Sequence, residues 1–177
     1  MSHPPVSQKG QKVARLTCII IAFLFIFLSH SSIAQISSVA AGGNWGASTT
    51  WVGAIVPGPG DVVTITSGIV IVNINTDLIS NLTVNAGAIL RIANLASATL
   101  SIDGSITVNG TLDNQGRIDL LNPFPFNLTG TYIHNPRANV AADETIFENG
   151  IENFTPTSNL TIEKWSDVSI PLGAPTR

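Results

Sequence analysis

Between Asp61 and Leu121 the chain is a succession of short apolar runs that alternate every second residue, each closed by Gly, Asn or Asp. Asp61 to Asn75 (DVVTITSGIVIVNIN) holds two β-branched runs broken at Ser67 and Gly68. The texture continues through Asn81 to Asn85, Ala88 to Ile92, Thr99 to Asp103, Ser105 to Asn109, Thr111 to Asn114 and Arg117 to Leu121. A period of two places successive side chains on opposite faces of a strand, and β-branched residues fit a pleated surface better than a helix. The glycines between the runs, Gly87, Gly104, Gly110 and Gly116, follow or neighbour residues that tolerate positive φ, and read as turns. No window carries a helical period. The expectation is an all-β fold.

Strands this short, joined by one or two residues, suit either a meander of hairpins or the coils of a parallel β-helix. Internal repetition separates the two. Ser80 to Val84 (SNLTV) returns as Ser158 to Ile162 (SNLTI), and Leu82, Leu100, Leu120, Val140 and Leu160 follow one another at intervals of 18 to 20 residues. Such steps fit single turns of a small solenoid, each burying its inward residues on the turn beneath. Fifteen Asn, many at run ends, suit coil corners where amides stack. The predicted fold is a parallel β-helix or β-solenoid of short coils, with a β-sandwich as the alternative.

The chain has 177 residues, and its first 34 differ from the rest. Lys9, Lys12 and Arg15 precede a thirteen-residue apolar run, Leu16 to Leu28, and Ser32 and Ala34 offer small side chains ahead of Gln35. This is the pattern of a cleaved secretory signal peptide; the run is shorter than the roughly 20 apolar residues a membrane-spanning helix needs. Cys18, the single cysteine, lies within it. Beyond residue 34 stand five basic residues (Arg91, Arg117, Arg137, Lys164, Arg177) against eleven acids, a net charge of −6. That remainder has no cysteine for a disulfide framework or a Cys/His zinc site, and no basic patch for nucleic acid. The expected location is outside the cell, secreted or at its surface.

Gly43 to Ile65 (GNWGASTTWVGAIVPGPGDVVTI) carries Trp45, Trp51, Gly53, Pro57, Gly58, Gly60 and Asp61 in an arrangement that resembles the opening segment of secreted Bacteroidetes proteins and of the related eight-glycine domain. Asn-Leu-Thr-Val at 81–84, Val108 to Gly116 and Gly130 to Asn135 (GTYIHN) extend the resemblance over most of the chain after the leader. The resemblance implies a right-handed β-helix at the cell surface, of the kind exported by type IX secretion with a carboxy-terminal sorting domain. The 177 residues contain no such domain, so the expectation is an amino-terminal piece of a longer protein, or a truncated gene. The organisation expected is a signal peptide (1–34), an amino-terminal cap segment with the Trp/Gly/Pro motif (35–61), regular coils (62–135), and less regular, truncated coils (136–177).

Candidate sites are few. Trp45 and Trp51 flank a short polar stretch where the strands begin; they serve either to cap the open end of the solenoid or to stack on sugar rings, the one carbohydrate-binding candidate. Trp165 reads as core or rim. Asp103, Asp113 and Asp119 fall within seventeen residues, and with coils of about twenty residues Asp103 and Asp119 would stack, as acids do in polysaccharide-cleaving enzymes or calcium sites. Each also sits at a turn or strand end, where a solvated Asp is ordinary. No Gly-x-Ser-x-Gly elbow accompanies His134, the single histidine after the leader. Asn-x-Thr triplets at Asn81, Asn109, Asn127, Asn153 and Asn159 arise from an Asn corner followed by a strand Thr. The acids Asp143, Glu144, Glu148 and Glu152 read as a solvated loop. The functional expectation is a non-enzymatic exported scaffold or adhesion module without catalytic, metal or cofactor residues, meeting extracellular polysaccharide or cell-surface components. The alternative is the first part of a carbohydrate-active β-helix enzyme, or a sugar-binding module.

Overall fold

The computed structural model describes residues 33–135 and 151–163. The leader up to Ser32, the acids Asp143, Glu144 and Glu148, Val140 and Trp165 lie outside them. The described chain holds two short 3-10 turns, Ser48–Thr50 and Val52–Ala54, and fourteen short strands: β1 (Gln35–Ser37), β2 (Gly42–Asn44), β3 (Val62–Ile65), β4 (Ile69–Val72), β5 (Asn81–Val84), β6 (Ile89–Ile92), β7 (Thr99–Ile102), β8 (Ile106–Val108), β9 (Thr111–Asn114), β10 (Arg117–Leu120), β11 (Pro125–Leu128), β12 (Thr131–His134), β13 (Ile151–Phe154) and β14 (Asn159–Ile162).

Every pairing between these strands is parallel, and none joins consecutive strands. The chain winds past three faces instead. The first face stacks β1-β3-β5-β8-β11-β13, the second β2-β4-β6-β9-β12-β14, and the third pairs β7 with β10. Isolated bridges Asn75↔Thr99 and Ile79↔Ile102 extend the third face by one more level. This is a parallel β-solenoid. A sandwich of antiparallel hairpins is excluded by the parallel registers.

Inward positions form one apolar column system. Val63, Leu82, Val108 and Leu128 on the first face, and Leu90 and Leu112 on the second, are at most 1% exposed. Sealing one such side chain contributes about 1.5–3 kcal/mol. The alternation read from the sequence therefore survives residue by residue: β3, β5, β6, β7, β10, β11 and β12 all show the same half-buried, buried, half-buried, buried order.

The register differs from the expected one. Val62 faces Asn81, 19 residues on, while Leu82 faces Ile106, 24 residues on. Coils are of unequal length because loops leave at different corners. The leucines read as one column consequently scatter: Leu82 is on the first face, Leu100 and Leu120 on the third, opposite Ile118 and Ile102, and Leu160 on the second, opposite Tyr132. The two SNLT segments lie in β5 and β14, on different faces.

The glycine corners need correction too. Of the four named, only Gly87 adopts a positive φ, +80°. Gly104 and Gly110 are required by crowding. A Cβ at Gly104 would lie 1.9 Å from the Ser80 carbonyl oxygen, and one at Gly110 would lie 2.2 Å from that of Asn85. The coil beneath, and not local chain reversal, selects glycine there.

Candidate functional site

The amino-terminal motif is built for structure. β1 and β2 fall inside the segment expected as a cap, yet they pair with β3 and β4, so the first coil starts at Gln35. Only the segment 45–61 leaves the ladder. It folds back so that Trp51 forms an antiparallel bridge with Ser38, and the Val39 N–H donates to the Thr50 carbonyl at 2.8 Å. This covers backbone that would otherwise be an open edge. The indoles of Trp45 and Trp51 are 0% and 2% exposed and meet edge to face, with centroids 4.9 Å apart. Trp51 Nε1–H donates to the Trp45 carbonyl at 2.7 Å. Neither indole presents a face to solvent, so the sugar-stacking role expected of Trp45 and Trp51 is not what their geometry serves; they pack in the core.

Asp61 closes the Pro-Gly-x-Gly-Asp turn. Its carboxylate accepts the Ala34 N–H at 3.0 Å and the Gly58 N–H at 2.9 Å, and Gly60 supplies the positive φ, +80°. Both carboxylate oxygens are spent on backbone, which ties the start of the first coil to the turn.

The three candidate acids do not converge. Asp113 lies on the second face, 2.8 Å from Arg91 Nε, and also accepts Gln115 Nε2–H at 2.9 Å. Asp119 lies on the third face, 3.2 Å from Arg117. Its strand partner is Ser101, not Asp103, which accepts a hydrogen bond from Asn122 instead. The expected Asp103–Asp119 stack is therefore replaced by two separate polar contacts. Among the described residues no group of three or more His, Cys, Asp and Glu side chains converges to hold a metal ion.

His134 is fully buried. Its Nδ1 is 2.9 Å from the Tyr132 hydroxyl, which also accepts the Asn114 side-chain N–H at 3.3 Å. Burial lowers its pKa from 6.5 to about 4, so the imidazole is neutral at physiological pH. The cluster joins β9 to β12 inside the coil.

One arrangement escaped the sequence reading. Ser37, Thr64, Thr83, Thr107, Asn127 and Asn153 are successive cross-strand partners up the first face. Two residues further along, from β3 onward, stands a second column, Thr66, Asn85, Asn109, Thr129 and Thr155. Ladder hydrogen bonds continue to that level: the Asn85, Asn109, Thr129 and Thr155 N–H groups donate to Ile65, Val84, Val108 and Leu128 carbonyls at 2.8–3.1 Å. Of the five Asn-x-Thr triplets only 127–129 and 153–155 supply both polar residues to these columns; those at Asn81 and Asn109 supply one each, and Asn159 and Thr161 lie on the second face. A spacing of two puts both polar side chains on the same, outward side.

No protein-family model matches the chain, and no curated protein or solved structure matches it either. Among the described residues no helix is long and apolar enough to cross a membrane.

Proposed function

We propose that this chain is a non-enzymatic, exported scaffold or adhesion module of the cell surface, meeting extracellular polysaccharide or other surface components. The observation that carries the reading is the pair of continuous six-strand parallel ladders around one sealed apolar core. Each coil adds about 4.8 Å of length and a fresh set of outward side chains, so such a stack acts as a stiff spacer presenting a repeated surface. Export is supported by the charged, apolar and small-residue order of the leader, and the resemblance of residues 43–65 to secreted Bacteroidetes proteins agrees with it.

The test is to produce the full chain with its leader in a bacterial host, fractionate the cells, and determine the amino terminus of the exported protein. A chain beginning at Gln35 outside the inner membrane is expected. A leader retained in the membrane overturns the export part of the reading. Incubating the exported protein with neutral and acidic polysaccharides is expected to release neither reducing sugar nor unsaturated products, and release of either overturns the non-enzymatic part.

A further inference from the structure

The first face differs from the other two in the charge of its outward positions; its one charged residue among the described strands, Glu152 of β13, stands at the register position of the inward Phe126. Its two inner outward columns hold Thr or Asn at all ten positions from Thr64 to Thr155, and none is charged or aromatic. The second face carries Arg91 and Asp113 outward, and the third Arg117 and Asp119. The rungs stand about 4.8 Å apart and the two columns about 6.6 Å apart, which makes a two-dimensional lattice of hydroxyls, amides and methyls. Contacts within the protein hold part of it in place: Asn153 Nδ2–H donates to Asn127 Oδ1 at 3.0 Å, the Thr129 hydroxyl to Asn109 Oδ1 at 2.6 Å and the Thr66 hydroxyl to the Ser38 carbonyl at 2.8 Å, while the Thr155 hydroxyl lies 3.1 Å from that of Thr157. Among the described residues, no hydrogen bond is made by the hydroxyls of Thr64, Thr83 and Thr107, three in a row, which face outward half-buried.

We propose that this face binds the surface of crystalline ice. Three properties of the lattice select that partner. Ice is uncharged and periodic in two dimensions, so a grid of uncharged polar groups in register on successive strands can engage many lattice waters at once, whereas a single linear chain would engage one column. Thr side chains have few χ1 rotamers and sit on a backbone fixed by ladders, so little ordering cost accompanies contact with a rigid solid. Ordered water bridging such groups is nearly as favourable as direct hydrogen bonding and here belongs to the partner itself. The absence of outward aromatics among the ten positions weighs against a sugar polymer, whose rings stack on indole and phenol faces. The inference stands apart from the export reading, since the face is formed by the coils whatever their location.

The experiment is ice-affinity partitioning of the purified chain, in which a slowly grown ice layer is separated from the remaining liquid and protein is measured in both. Enrichment in the ice is expected. Thr83→Lys and Thr107→Lys, which place an ammonium in the lattice, are expected to stay in the liquid with unchanged far-ultraviolet circular dichroism, while Ser101→Lys on the third face still enters the ice. Should either lattice variant fail to fold, Asn153→Lys at the exposed end of the same column gives the same readout. Exclusion of the unmodified protein from ice overturns the proposal, as does equal retention of the lattice and Ser101→Lys variants. Binding to insoluble cellulose or chitin without enrichment in ice also overturns it, and assigns the face to a neutral glycan.

Discussion

Burial decides the role of each notable side chain in this protein. Trp45 and Trp51 have the chemistry to stack on a sugar, but with both indoles inside they act as core volume. Trp45→Ala should lower unfolding free energy by about 3–5 kcal/mol in urea titration. Trp51→Phe, which keeps a ring but deletes the donor to the Trp45 carbonyl, should cost about 1–3 kcal/mol, the penalty for leaving a buried acceptor unpaired. His134 makes a pH prediction with a definite sign. The unfolded chain gains a proton near pH 6.5, while the folded chain resists it until about pH 4. Its contribution is therefore complete above pH 6.5 and lost as pH falls from 6.5 towards 4. The total is about 3 kcal/mol, from 1.36 kcal/mol per pH unit. Urea midpoints measured between pH 7.5 and 4.5 should fall more steeply for the natural chain than for His134→Leu, and parallel slopes would contradict a buried neutral imidazole.

Strands and corners obey different constraints, which a pair of glycine substitutions can separate. Gly87 sits at φ +80° with nothing within 4 Å of an added Cβ, so Gly87→Ala costs only left-handed backbone strain, about 1–2 kcal/mol, and Gly87→Asn less. Gly110 has no such φ, but its missing Cβ makes room for the Asn85 and Ala88 carbonyl oxygens at 2.2 and 2.3 Å. Gly110→Ala must shift a whole corner, and overpacking of this kind costs about 1–3 kcal/mol or more. Replacement by Asn should therefore rescue position 87 and not position 110, as read from thermal unfolding. The strands themselves were legible in the sequence because alternation and β-branching act within a few residues. The reason for glycine at the corners was not, since the atom that excludes Cβ belongs to the preceding coil, more than twenty residues away.

Over the whole stack, stability is a sum of coils and of the contacts between neighbours. Middle coils are sealed on both sides: Leu90 and Leu112 are fully buried. On the last described coil the inward side chains Leu160 and Ile162 of β14 are only half-buried, and Phe154 of β13 is 39% exposed. Amide hydrogen exchange should therefore be slowest in β5, β6, β8 and β9 and fastest in β13 and β14. Uniform protection through Ile162 would show that coil neighbours do not set the local stability. Phe154 beside Phe126, with ring centroids 6.3 Å apart, adds a side-chain contact to the β11–β13 and β12–β14 ladders that join the last described coil to the one beneath.

The sequence alone determined that this protein is made of short strands with an apolar inward row and that charge is scarce; it favoured coils over a sandwich, and the parallel registers decided between them. The strands and their inward row follow from local rules, the two-residue period and the chemistry of β-branched, Asn and Gly residues, which hold before the chain closes on itself. Only the tertiary structure decided the register. Coil lengths vary with each loop, so Leu100 meets Ile118 in place of Leu82 or Leu120, Asp119 meets Ser101 in place of Asp103, and Arg91 finds Asp113 across 22 residues. The same register aligned Thr and Asn residues of five strands into two columns on the first face. Such alignment depends on where every intervening loop leaves the stack, and no local pattern carries that information.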